Sequence, residues 1–362
     1  MTVSATHHRL QTRNKAAGAG RPRKRHPAWE ALPDDQLLDL RFCDLKLAIR
    51  GTELEEAIRR LYAELEMRGI SRFRPHCWLA QEWFSPDGIP GIAIPFYLAH
   101  RRLMSIERRF MREVEGGNRN WLMRILRHEA GHAIDSAYRL RRRSSWREVF
   151  GPASLPYPAT YRPRPGSRRF VQHLGAWYAQ AHPTEDFAET FAVWVKPRSA
   201  WRREYRDWPA YAKLEYIDSL VEEIGPSRPP VQDRGKIEEV RHETRTLREH
   251  YARRLARAPV ARRSGADELL LKVFTAAPRN RSRPKAASVL RELRHPLRQR
   301  ILRSGAFSEY LVHQVLRLMI ERCEALDLYL RGSRRDLRAH LLWVISRLAE
   351  SYEERQLPRL SL

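Results

Sequence analysis

Cysteine is scarce. Cys43, Cys77 and Cys323 are the only three in 362 residues, far apart and without C-x-x-C spacing. That excludes a disulfide framework and a zinc knuckle, reads each cysteine as a small buried hydrophobe, and predicts a reducing compartment. Long apolar runs are missing too, and nothing approaches the roughly 20 residues that a membrane-spanning helix needs. Residues Met1 to His26 are polar and basic, with no apolar stretch of about 7 to 15 residues, so they do not read as a secretory leader. The expectation is a soluble, cytoplasmic protein with no membrane contact. Acidic residues are in deficit: 43 Asp plus Glu against 68 Lys plus Arg leave a net charge of +25. Such a surplus favours encounters with nucleic acid or other polyanions. The basic residues are scattered through nearly every segment, however, which equally fits an arginine-rich composition spread over all surfaces.

A chain of this length, 42% hydrophobic, suggests one large domain or two ordinary ones. Its most informative stretch is Leu126-Arg127-His128-Glu129-Ala130-Gly131-His132-Ala133-Ile134-Asp135. Trp121, Leu122, Ile125, Leu126, Ala133, Ile134, Ala137 and Tyr138 recur at the spacing of one buried helical face. His128 and His132 therefore stand one turn apart on one side, about 5 to 6 Å apart at Cβ, where two imidazoles can share one Zn²⁺ with Glu129 beside them as a base. Chance produces the five-residue pattern too readily for it to stand alone, so a third ligand is required.

The extended form with a third histidine six residues beyond the second is excluded, because that position is Tyr138. Asp135 lies almost in line with His128 and is better placed as an outer acceptor than as a ligand. The stronger candidate is the segment His182-Pro183-Thr184-Glu185-Asp186-Phe187-Ala188-Glu189, which continues to Trp194. Thr184 reads as a helix N-cap, and Glu185 and Glu189 fall one turn apart, away from Phe187, Phe191 and Trp194. One carboxylate can complete the metal site while the other accepts from a ligand imidazole. His173 and His182 remain alternative ligands.

The helix with His128-Glu129-Ala130-Gly131-His132, followed some fifty residues later by Glu185-Asp186-Phe187-Ala188-Glu189, resembles the gluzincin metallopeptidases. It is especially similar to a bacterial zinc-binding metallopeptidase family related to the catalytic domain of anthrax lethal factor. Trp83-Phe84-Ser85-Pro86-Asp87-Gly88 and Ile94-Pro95-Phe96-Tyr97-Leu98-Ala99-His100 carry the same likeness, which covers about Leu37 to Ile224. The resemblance implies that Glu185 is the third ligand, that Glu189 is an outer partner, and that Tyr178, seven residues before the ligand, helps stabilise the tetrahedral intermediate. It implies an α+β, zincin-like catalytic domain: a small sheet with an edge strand, the helix bearing the two histidines and a Glu-bearing helix.

The remaining segments set the domain expectations. Residues 1–30 read as a disordered basic arm. Leu45, Leu47 and Ile49 alternate as a strand, and Thr52 with Glu55 forms a capping box for a helix burying Leu54, Ile58, Leu61 and Leu65. A strand is expected through His76–Ala80, a turn at Ser85–Gly88, and a returning strand through Ile92–Leu98. Pro95 demotes that strand to an edge, which either holds an extended peptide or is simply blunted by proline. The Pro-rich passage from Arg141 to His182 carries Arg141, Arg142, Arg143, Arg162, Arg164, Arg168 and Arg169, and suggests a basic wall to the cleft. Trp201, Tyr205, Trp208 and Tyr211 read as a covering core layer, with base stacking as the other possibility. Gly225–Pro230 marks a linker. This divides the chain into a metallopeptidase domain over 31–230 and an all-α basic domain over 231–362, the latter containing a hairpin of helices at Ser308–Leu330 and Asp336–Ala349.

Two function classes follow. The first is a zinc metallopeptidase with His128, His132 and Glu185 as ligands, Glu129 as general base, Tyr178 as oxyanion donor, and a peptide or protein as substrate. The second is a basic polyanion-binding protein whose zinc site is auxiliary or decayed. Glu129 favours the first, because a decaying site is expected to lose its base before its ligands.

Overall fold

A computed structural model of the chain describes residues 27–353 and 360–361, apart from 112, 159, 162, 165, 166, 176, 258–264, 277–282, 304, 305, 308 and 333–335. The expected basic arm thus lies almost wholly outside the described residues. Its last part does not: Trp29 is buried, with its indole N–H donating to the Leu45 carbonyl at 3.1 Å.

Helix α1, Glu53–Met67, buries Leu54, Ile58, Leu61 and Leu65 as its periodicity demands. Its start departs from a reciprocal capping box: Glu55 accepts from the Gly51 N–H at 2.7 Å, and the Thr52 hydroxyl donates backward to the Ile49 carbonyl. No strand forms at Leu45–Ile49. Phe42–Leu45 is a 3-10 turn whose Phe42 and Cys43 N–H groups reach the Arg245 and Glu243 carbonyls, and Lys46 then turns left-handed at φ 48°.

Strands β1, His76–Ala80, and β2, Gly91–Pro95, pair in parallel, His76 opposite Gly91 and Ala80 opposite Pro95. The expected reversal at Ser85–Gly88 occurs, but its upstream arm is Phe84, which bridges Ala93 in antiparallel fashion. β2 is therefore flanked by β1 on one side and by Phe84 on the other, and the free edge shifts from the proline-bearing strand to Trp83–Ser85. Pro95 is accommodated because it is the last residue of its strand.

Helix α2, Arg101–Met111, leads through Gly116, at φ +77°, into helix α3, Arg119–Tyr138, whose N-cap Asn118 accepts from the Trp121 N–H at 2.9 Å. Helix α4, Pro183–Val195, crosses α3 so closely that a Cβ on Gly131 would lie 2.8 Å from the Ala188 Cα. Glycine is what permits that approach. Helix α5, Ala210–Ile224, covers α4, and Trp201 and Tyr205 are buried while Trp208 and Tyr211 pack on the same core. The aromatic cluster is a core layer.

The residues expected to act as a linker are fastened to α3: the Ser227 carbonyl accepts from Tyr138 at 2.8 Å, and the Val231 N–H reaches the Ala137 carbonyl at 3.1 Å. The division of the cores comes later than residue 230. Val240, Leu247 and Tyr251 belong to the first core, the last two on helix α6, Leu247–Arg257. The second core begins at Ala266 and is built from α7, Gly265–Val273, α8, Ala286–Leu302, α9, Glu309–Ala325, and α10, Leu337–Glu353. Val312, Leu316, Met319 and Cys323 face Leu341, Val344 and Leu348 within it, as the stripes predict. This unit is not purely helical, since Phe274–Thr275 pairs antiparallel with Tyr329–Leu330. Arg322 joins the two cores, bidentate to Glu113 at 2.9 and 3.0 Å and to Asp267 at 2.8 and 2.9 Å. Among the described residues no helix is long and apolar enough to cross a membrane.

Candidate metal centre

The two histidines reach the centre from one face of α3. His128 is buried and His132 is the more open of the two, with 13% of its side chain exposed against 3%. Just before them Arg127 is buried on α3, where it donates to both oxygens of Glu64 on α1 at 2.6 and 2.8 Å. That charge-assisted fork fixes the rotation of α3 about its axis. Sequence reasoning missed it. The signal available was the position of Glu64, three residues after Leu61 on the buried face of α1.

From α4, Glu185 presents Oε2 at 3.0 Å from His128 Nε2 and 3.2 Å from His132 Nε2, and the two Nε2 atoms lie 3.1 Å apart. These three groups are the one His/Cys/Asp/Glu cluster among the described residues able to hold a metal ion. A tetrahedral zinc with bonds of about 2.0 to 2.2 Å requires ligand atoms roughly 3.3 to 3.6 Å apart, and the observed triangle is somewhat tighter. The donor set of two imidazoles and one carboxylate suits the same ion. Burial disfavours charge on His128, yet its hydrogen bonds to Glu185 and Glu189 hold its pKa well above the ordinary value. Burial likewise opposes charge on Glu185, and the two histidines overrule it, keeping the carboxyl well below its usual range. The two carboxylates thus favour positive charge on the imidazoles.

Glu189 sits one turn beyond, fully buried, accepting from His128 Nδ1 at 3.0 Å and from the Leu174 N–H at 2.8 Å. With Nδ1 committed to Glu189, Nε2 is the nitrogen that His128 turns toward Glu185 and His132. Removing it by Glu189→Ala is expected to weaken zinc affinity about 10- to 100-fold. A chelator competition giving wild-type affinity for that variant would refute this role.

Glu129 is also buried, and its Oε2 has no hydrogen-bond partner. An unpaired buried carboxylate oxygen costs about 1 to 3 kcal/mol or more, so a proton donor at the site would relieve it. The Ser85 hydroxyl donates to the Glu129 carbonyl at 3.1 Å, which brings the free edge of the sheet against α3. Tyr178 follows Trp177, a bulky residue held left-handed at φ 56°, and its ring lies 5.5 Å from that of His128. Burial, with the charges of Glu185 and Glu129 added, pushes its phenol far upward, so it stays protonated.

Other expected residues lie elsewhere. Asp135 is not an acceptor for either histidine: it closes the end of α3, taking the Arg141 N–H at 2.8 Å and the Arg141 Nε at 2.6 Å. In the last helical turn its nearest donors are those of the chain turning back, not the imidazoles a turn below. His173 is paired with the Arg124 carbonyl at 2.9 Å and kept neutral by burial. His182 is the N-cap of α4 in place of Thr184, accepting from the Thr184 N–H at 3.2 Å. The basic wall is partly neutralised, since Arg141 also pairs with Asp87, and Arg143 with Glu223; Arg162 lies outside the described residues.

Residues 104–202 match the model of a family described as "Putative zinc-binding metallo-peptidase". The matched region includes α3, the passage carrying Tyr178, and the whole of α4, so it contains every residue of the centre. Zinc is thus the ion that both the donor set and the matched family indicate. No curated protein and no solved structure matches the chain.

Proposed function

We propose that the chain is a gluzincin-type zinc metallopeptidase with a zincin-like catalytic unit, in which His128, His132 and Glu185 hold the metal. The observation that carries this reading is the convergence of His128 Nε2, His132 Nε2 and Glu185 Oε2 within 3.2 Å of one another, inside the matched region. Zinc, when bound, polarises the substrate carbonyl and lowers the pKa of water to about 7. Glu129 accepts the proton of the attacking water and passes it to the leaving nitrogen, and its unpaired Oε2 is free to do so. Tyr178 donates its phenol proton as a hydrogen bond to the oxygen on which negative charge develops.

The substrate main chain lies along Trp83–Ser85. Phe84 spends its own N–H and carbonyl on Ala93, at 3.5 and 2.8 Å, so the groups of Trp83 and Ser85 face the opposite way. The catalytic unit ends between Arg257 and Gly265 rather than at 230, and the helical unit after it is held by Arg322 against the segment leading into α3. Three free cysteines support a reducing compartment such as the cytoplasm.

Metal removal tests the reading. Exhaustive chelation is expected to abolish cleavage of a denatured-protein or peptide library, and stoichiometric zinc to restore it. Cleavage that survives verified removal of the metal would contradict it.

A further inference from the structure

We propose that Tyr157 is a positioning residue that keeps Glu185 a one-oxygen ligand. The proposal rests on the assignment of Glu185 to the metal. The two carboxylate oxygens of Glu185 have separate partners: Oε2 faces the imidazoles at 3.0 and 3.2 Å, whereas Oε1 accepts from the Tyr157 hydroxyl at 2.8 Å. For both oxygens to bind one ion, Oε1 would have to divide its two lone pairs between the metal and the Tyr157 hydroxyl, which weakens it as a ligand. The phenol would thus favour a single contact from the carboxylate, and a fourth position would stay free for water or substrate.

The surroundings of Tyr157 are arranged to hold that hydroxyl in place. Its ring stacks on His182 with centroids 3.9 Å apart and planes at 19°. His182 Nε2 pairs with the Leu155 carbonyl at 2.9 Å, which makes that nitrogen the donor and leaves Nδ1 to accept from the Thr184 N–H. The Thr184 hydroxyl touches both Tyr157 and His182 Nδ1, and the Tyr157 hydroxyl donates to Glu185, whose carboxylate can only accept. One imidazole thus caps α4, grips the backbone at Leu155 and carries the Tyr157 ring. Tyr157 is nevertheless 55% exposed, so burial of its ring does not explain its placement. Stacking on His182 and the hydrogen bond to Glu185 do.

The experiment uses the full chain with Tyr157→Phe, which retains the stacked ring and removes only the hydroxyl. Zinc affinity by chelator competition is expected to fall about 10- to 100-fold. In the cobalt(II)-substituted protein, the visible absorption of the variant is expected to weaken, because a freed Oε1 raises the coordination number of the metal. A cobalt spectrum identical to that of the wild type overturns the proposal, since a packing role would leave the ligand geometry alone. Wild-type protein and Glu185→Ala are measured alongside. If the wild type binds no zinc, or Glu185→Ala binds it undiminished, the metal assignment itself fails; if both behave as assigned and Tyr157→Phe matches the wild type, only the role of Tyr157 fails.

Discussion

Glu129→Gln is expected to bind zinc as the wild type does and to hydrolyse peptide bonds about 10²- to 10⁴-fold more slowly, the usual contribution of a general acid-base group. Glutamine matches glutamate in size but cannot take a proton from water. Glu129 is no part of the ligand triangle, and its Oε2 has no partner in the fold, so the substitution breaks no hydrogen bond at that atom. Zinc content and thermal unfolding should therefore stay at wild-type values while cleavage of a peptide library is lost. The same variant separates the two function classes. Polyanion binding would be indifferent to Glu129 and would weaken steeply with salt, as each phosphate contact releases counterions. Should neither protein cleave anything across a broad library while both bind nucleic acid tightly and equally, the peptidase reading fails.

The second large effect is expected from Glu185→Ala. This removes one corner of the triangle together with the anchor of its neighbours, because Oε2 contacts both imidazoles and Oε1 contacts Tyr157. Zinc loss should go well beyond the roughly 10- to 100-fold expected for Glu189→Ala, where only an outer partner disappears. His128 retains its bond to Glu189, and Gly131 still admits Ala188, so the packing of α3 on α4 should persist and circular dichroism should change little. Elemental analysis after desalting gives the result directly. Undiminished zinc in this variant would remove Glu185 from the ligand set, and neither His173 nor His182 is placed to substitute, each being engaged with a backbone carbonyl.

The helices of the centre were legible in the sequence because their side chains repeat with the helical period. His128 and His132, and Glu185 and Glu189, are pairs at i and i+4, and such spacing fixes relative direction before any fold is known. Contacts between segments obey no such rule. Tyr157 lies 28 residues before Glu185 in a proline-rich passage, and nothing in its spacing announces the hydrogen bond. Asp135 was misplaced for a related reason: helical geometry put it in line with His128, but its partner, Arg141, comes from the chain turning back after the helix. The sheet shows the same limit. Proline and the turn at Ser85–Gly88 marked the reversal correctly, yet which strand pairs with which depended on β1 lying parallel beside β2, a long-range choice. The two cores divide later than the Gly- and Pro-rich residues because these mark a bend in the chain, and this bend is pinned to α3 by Tyr138.

The most direct test of the metal centre is a crystal structure of the zinc-loaded protein with anomalous data collected on both sides of the zinc absorption edge. One strong zinc peak is expected, bonded to His128 Nε2, His132 Nε2 and a single oxygen of Glu185 at about 2.0 to 2.2 Å, with a fourth position open to solvent. A peak bonded to other residues, or no peak between α3 and α4 in protein shown to contain one zinc per chain, would contradict the account.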